Sequence, residues 1–346
     1  MAFDLSKIGV KMNIPKVNFT DYSGLFVAPP KFGKTTTASK FKGSVIVPFE
    51  VGTKGAVVNV AETVKDWQSF IEWIDDLEEY REDIGDAIQT IVFDTVNKAY
   101  EWCEKYTLKQ LSIIDKKRYR TMGDVPHGKA YSEKDKFFIE QIDRILALGF
   151  NILFISHLKV KTVRPKNGEP YDVYSSTMPE RLEAIVNPLV DFILTGEKRV
   201  IDGVEKRVLI TKGNAMADAG GRVVIDEDIV FDTEDEAIEK YQELFKESVM
   251  RKLKEHGINR DYEELSKEQA EEKLKEAMKY VEQNKENKST EEIIAEVDKA
   301  IKSMSSEQQA EVKKQLKDRF KSINYKKYDV EQLKEALSIV NEILSA

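Results

Sequence analysis

Ala-Pro-Pro-Lys-Phe-Gly-Lys-Thr-Thr, residues 28–36, stands between an apolar run at 22–27, suited to a buried strand, and a stretch at 34–41 that reads as a helix start. Strand, turn and helix in that order, with Gly-Lys-Thr at the turn, have the form of a phosphate-binding loop. Pro29, Pro30, Lys31, Phe32, Gly33, Lys34, Thr35 and Thr36 would wrap a polyphosphate with backbone N–H groups and a helix N-terminus. Lys34 would reach the β and γ phosphates, and the Thr35 hydroxyl would hold Mg²⁺. The usual pattern is G-x-x-x-x-G-K-[ST]. Here Ala28 takes the place of the first glycine, while Gly33 is intact and the two prolines stiffen the turn by fixing φ. The competing reading is an ordinary strand-to-helix turn.

Working outward, residues 44–49 read as a second strand ending at Glu50, a carboxylate placed to polarise an attacking water. The bland alternative is a surface glutamate opening a turn. Residues 66–80 carry apolar positions at helical spacing behind an Asp66 cap, and Trp67 and Trp73 read as packing. Residues 88–94, I-Q-T-I-V-F-D, form an apolar strand closed by Asp94. Following a phosphate loop, this is the pattern of a Walker B strand whose carboxylate joins Thr35 at Mg²⁺. A helix is expected over 95–111 and another over 132–148. Between them, 115–136 carries seven Lys or Arg against four Asp or Glu, interleaved with Tyr119 and Tyr131. It reads equally as a mobile loop for a phosphate backbone or as a solvated linker. A fourth strand at 151–155 leads to Ser156 and His157, the latter placed either to sense a γ-phosphate or as a structural histidine.

Residues 159–179 are basic and broken by Gly and Pro. Lys159, Lys161, Arg164, Lys166, Tyr171 and Tyr174 are candidates for single-stranded DNA contact, against a ligand-free hairpin around Asn167-Gly168. A fifth strand at 190–194 and a hairpin about Asp202-Gly203 follow. Lys212 and Arg222 are candidate cationic fingers toward a neighbouring subunit's nucleotide, or plain surface charges. A helix over 234–244 closes the head, and residues 1–21 read as an edge strand or a cover over the nucleotide.

The division expected is 1–245 for the nucleotide-binding head and 246–346 for a helical module. In the latter, capping-box signals recur at Ser266, Ser289, Ser305 and Asp329. The net charge of −8 argues against a protein that coats nucleic acid over its whole surface. One cysteine, Cys103, excludes an internal disulfide and a cysteine-based zinc site. The opening residues lack a signal-peptide profile and no run of about 18 apolar residues occurs, which points to the cytoplasm, without membrane attachment.

The succession V-A-P-P-K-F-G-K-T-T, Glu50, I-V-F-D-T and L-F-I-S-H resembles the RecA-like NTPases of bacteriophages, a group of single-strand-annealing recombination ATPases. The resemblance covers roughly residues 20–245. It implies an α/β fold with a mainly parallel sheet, and leaves the small all-α C-terminal module, read from its capping signals and apolar stripes, outside its reach. It also implies ATP at the loop, Mg²⁺ at Thr35 and Asp94, Glu50 as base, single-stranded DNA in loops near the assembly axis, and a ring or filament of copies in a bacterial host. Two other readings stand beside it. One is an ATP-dependent loader or adaptor that recruits a replication or recombination partner through the helical tail. The other, a small-molecule kinase, lacks an arginine-rich lid segment.

Overall fold

A computed structural model describes the chain except residues 1–11, 51, 53, 54, 215, 288, 289 and 346. The sheet grows from short apolar runs that are buried on both faces. β1 (Gly24–Ala28), β2 (Ser44–Pro48), β3 (Thr90–Asp94) and the first half of β4 (Asn151–Val163) are parallel, as is the start of β6 (Phe192–Ile201). The order across the sheet is β2-β3-β4-β1-β6-β7-β9. β7 (Val204–Ile210) and β9 (Ile229–Phe231) extend it antiparallel, β8 (Gly220–Gly221) pairs with β6, and β5 (Tyr171–Ser176) pairs with the far half of β4. This is the mainly parallel α/β sheet expected from the sequence, with the loop-bearing strand β1 in its interior.

Side chains alternate between two packed faces, as a pleated strand requires. On one face Phe26, Ala28, Ile46, Val92, Leu153, Ile155, Leu194 and Leu209 pack under α1 (Lys34–Ser39) and α7 (Glu234–Glu255). On the other, Phe93 meets Phe49, Phe70 and Phe154 at centroid distances of 5.3, 5.5 and 5.2 Å. That face is covered by α2 (Trp67–Glu79), the short α3 (Arg81–Ile84), α4 (Val96–Ile114), α5 (Lys129–Ala147) and α6 (Glu180–Leu189). Asp66 caps α2 in a full capping box with Ser69, and Trp67 stacks on Phe138.

Several expectations are corrected. Residues 115–128, within the segment read as a mobile loop or a linker, fold into turns that join α4 to α5. Met122 and Val125 are drawn under Leu108, Leu111 and Ala130, and a Thr121/Asp124 capping box closes the first turn. The fifth strand and the first arm of the following hairpin are one strand, β6, which turns at Asp202 and Gly203, both in left-handed backbone (φ 52° and 80°). Of the segment read as an edge strand or a cover, residues 1–11 lie outside the described residues, and residues 12–21 contain no strand. Val17 and Phe19 are buried in the core beside Tyr241 and Phe245 of α7, away from the sheet edge where the loop lies.

Contacts divide the chain into two compact units, Met1–Met278 and Lys279–Ala346. α7 runs on past residue 245, and Val249, Leu253 and Leu265 belong to the same core as the sheet. α8 (Tyr262–Asn287) starts four residues before Ser266, and Asp261 accepts from the N–H groups of Glu263 and Glu264. Ser266 and Gln269 are therefore inside a helix, where they bond Asn18 and the backbone of Pro15 and Val17. The second unit contains α9 (Thr290–Ser303), α10 (Ser306–Phe320) and α11 (Val330–Ser345) around its own core of Ile293, Val297, Val312, Leu316, Leu333 and Val340. Ser305 with Gln308, and Asp329 with Gln332, form the capping boxes expected. The signal at Ser289 lies outside the described residues. Among the described residues no helix is long and apolar enough to cross a membrane.

Candidate functional site

The strand order β2-β3-β4-β1 brings four chain segments to one edge of the sheet. In register, Pro48 is opposite Asp94, and Ala28 is opposite His157. Glu50, just past β2, donates its backbone N–H to the Asp94 carbonyl (3.1 Å). Lys34 and His157, 123 positions apart in sequence, thus share one small volume.

Lys34 is buried. Its Nζ donates to the carbonyls of Ala28 (3.1 Å) and Pro29 (3.0 Å) and lies 3.3 Å from His157 Nδ1. Burial pulls its pKa down, against the attraction of Asp94 and Glu50. The Thr35 hydroxyl donates to Asp94 Oδ2 at 2.6 Å. Asp94 is only 5% exposed, and burial pushes its pKa up despite the hydrogen bond from Thr35. A hydroxyl and a carboxylate side by side are two hard oxygen donors, a set that fits Mg²⁺. Glu50 is held at both oxygens, by Thr95 Oγ1 (3.1 Å) and by His157 Nε2 (3.3 Å). His157 therefore stands between the lysine and the glutamate. Ser156, fully buried, donates to Asn97 Oδ1 (3.0 Å). Thr95 was not singled out from sequence, although its place directly after Asp94 was a usable signal.

Within the loop, Lys31 is exposed with φ 63°, and Gly33 has φ 103°, a conformation that favours glycine. Phe32 turns its ring away from the edge into the core, 6.1 Å from Phe26 and 5.9 Å from Phe231. Behind it stand Arg207 and Glu234, neither of which carries a motif signal.

The remaining candidates lie elsewhere. Leu158–Val163 of β4 pair antiparallel with β5, so a hairpin is present there. Lys159, Lys161, Arg164 and Lys166 are exposed and, among the described residues, in no ion pair. The pairing Val163↔Tyr171 puts Tyr171 on the same face as Lys159 and Lys161, whereas Tyr174, opposite Val160, is on the other. Lys212 pairs with Asp226 (2.5 Å) and Arg222 with Asp191 (3.0 Å), both well exposed.

The model of the AAA domain family matches residues 20–223. Over 159 residues the chain is 23% identical to the SPbeta prophage-derived uncharacterized protein YorG of Bacillus subtilis (strain 168), a match covering 46% of this chain and 44% of that protein. The chain thus spans less than half the length of that relative. A KaiC-like protein from the archaeon Pyrococcus horikoshii OT3 aligns with 63% of this chain and 91% of its own, at 10% identity and a TM-score of 0.31.

Proposed function

The chain belongs to the AAA domain family, and on that premise we propose that it binds and hydrolyses ATP at residues 28–36 and acts on single-stranded DNA in phage-type recombination or annealing. The observation that carries the hydrolytic half is the convergence of Lys34, Thr35, Glu50, Asp94 and His157 at one sheet edge. The Lys34 ammonium rests on two neutral carbonyls. Phosphate oxygens carry charge and are the stronger acceptors, so the β and γ phosphates take over those hydrogen bonds. Thr35 and Asp94 would hold Mg²⁺, which supplies charge neutralisation to the same phosphates. Glu50, oriented by Thr95 and His157, accepts the proton of the attacking water. His157, touching both Glu50 and Lys34, registers whether the γ-phosphate is present. Little covalent chemistry is asked of the chain; positioning and charge do most of it.

The DNA half is supported by the face of the β4–β5 hairpin that combines Lys159 and Lys161 with Tyr171, a cationic track beside an aromatic ring. The prophage origin of the Bacillus relative agrees with a phage setting. Assembly on DNA would be as a ring or filament of copies, in which Lys212 and Arg222 act as fingers after leaving their present partners. The separate core of residues 279–346 supports the adaptor reading as the second choice.

Turnover measured with and without a poly-pyrimidine single strand, at low and moderate salt, tests both halves. Stimulation that fades with salt is expected, as is loss of turnover in Lys34→Ala. Turnover indifferent to DNA would refute the nucleic-acid half. Unchanged turnover in Lys34→Ala would refute the site.

A further inference from the structure

The loop is held from outside by an ion pair that the phosphate-binding motif does not call for. Arg207, on β7, donates through Nη1 to the Phe32 carbonyl (3.3 Å) and to Glu234 Oε1 (2.5 Å), and through Nη2 to the Asp232 carbonyl. Its guanidinium lies over the Phe231 ring, 4.7 Å from the centroid. Glu234 is the first residue of α7, and the preceding Thr233 caps that helix, so the carboxylate starts from a fixed backbone. It sits directly against the loop. A Cβ placed on Gly33 would come 2.6 Å from Glu234 Oε1 and 3.2 Å from Arg207 Nη1.

Two physical consequences follow. In a planar trans peptide the C=O and the following N–H point in opposite directions. Holding the Phe32 carbonyl outward against Arg207 therefore turns the Gly33 N–H inward, toward the phosphates. A carboxylate touching Gly33 also opposes a polyphosphate, and the guanidinium cancels that charge in place.

We propose that Arg207 is a positioning residue for nucleotide binding, which sets affinity for the polyphosphate by orienting the Phe32–Gly33 peptide and neutralising Glu234. The proposal rests on the reading of residues 28–36 as the nucleotide site, and deepens it.

The test is a double-mutant cycle of Arg207→Met, Glu234→Gln and both together. ATP and ADP affinities are measured by titration calorimetry, KM and kcat by turnover, and folding by urea unfolding. Arg207→Met should weaken ATP binding at least tenfold, and ADP binding less, with KM rising far more than kcat falls. The double variant should recover part of that loss, because the unpaired carboxylate is gone while the peptide anchor is still missing. Arg207→Lys, which keeps the charge but cannot bridge Phe32, Glu234 and Asp232 together, should fall between and serves if the methionine variant unfolds. ATP affinity unchanged in Arg207→Met, or no recovery in the double variant, overturns the proposal. Lys34→Ala separates the two levels. If wild type binds ATP no better than Lys34→Ala, the nucleotide-site reading fails and this proposal with it. If Lys34→Ala loses binding while the Arg207 variants keep it, only the proposal fails.

Discussion

Replacing Phe32 by alanine should unfold the head far more readily, although the residue sits in the middle of a ligand-binding loop. Its ring is 1% exposed and touches Phe26 and Phe231 edge-on. Gly196 forms the floor of the slot: a Cβ there would come 2.6 Å from Phe32 Cε1, so that side of the slot has no side chain to fill the space left behind. Truncation of a buried phenylalanine costs about 3–5 kcal/mol. Two aromatic contacts, each worth about 0.5–1.5 kcal/mol, disappear with the ring and favour the upper part of that range. With a urea slope of about 3 kcal/mol/M, the midpoint should drop by roughly 1.3–1.7 M. The three tryptophans, Trp67, Trp73 and Trp102, all lie in the unit ending at Met278, so selectively excited tryptophan fluorescence follows that unit alone. Lys31→Ala, one residue away and exposed, is the control and should shift stability by less than about 0.5 kcal/mol. A midpoint for Phe32→Ala no lower than that of the control would refute the assignment of Phe32 to the core.

Three further outcomes are expected. Asp66→Ala should cost about 1 kcal/mol at neutral pH by removing the α2 cap. The Ser69 N–H lowers the Asp66 pKa in the fold, so this stabilisation is full above the ordinary carboxylate range and is lost as the pH falls through the depressed value. The gap between wild type and variant in urea midpoints should therefore close in acid, and a gap that persists there would refute it. Cys103 is buried, and burial pushes its thiol well above the ordinary range. Ellman's reagent should then find no thiol in the native protein and one after denaturation, a native reaction within minutes being the contrary result. The Thr37 hydroxyl is buried and, among the described residues, without a hydrogen-bond partner. Thr37→Val should thus leave stability unchanged or raise it by up to about 1 kcal/mol, and a loss larger than that in the same unfolding assay would count against it.

What could be read from the sequence was whatever short-range chemistry controls. The phosphate-loop turn, the aspartate closing β3, the Asp66 cap and the boxes at Ser305 and Asp329 each depend on a few neighbouring residues, and each has its place in the fold. The convergence of Glu50, Asp94 and His157 followed from strand ends, since parallel strands bring their C-terminal ends to one edge. What escaped was set by long-range partners. Ser266 and Gln269 have the spacing of a helix start, but the chain at 15–18 uses their polar groups instead, 248 to 254 residues away. Residues 115–128 carry charge like a linker, yet Met122 and Val125 find an apolar pocket between two helices and fold the segment down. Arg207 and Glu234 sit in an ordinary hairpin strand and an ordinary helix start; only the assembled sheet brings them behind Gly33.

β4 is one strand of 13 residues in two mechanical settings. Leu153–Ile155 are paired on both sides, with β3 and with β1, and Ser156 and His157 with β1, whereas Leu158–Val163 pair with β5. The outer arm of six residues, at about 3.3 Å each, reaches about 20 Å from a pivot at His157, and its partner β5 is tied at Tyr174 to Met216 and Ala217. A tilt of about 3° at the pivot, too slight to disturb the packed sheet, carries the tip near Arg164 through about 1 Å on that length. Arm length and the tie at Tyr174 set that lever: a hairpin shorter by one residue pair should carry its tip through a smaller arc for the same tilt, with the residues around Lys34 unchanged.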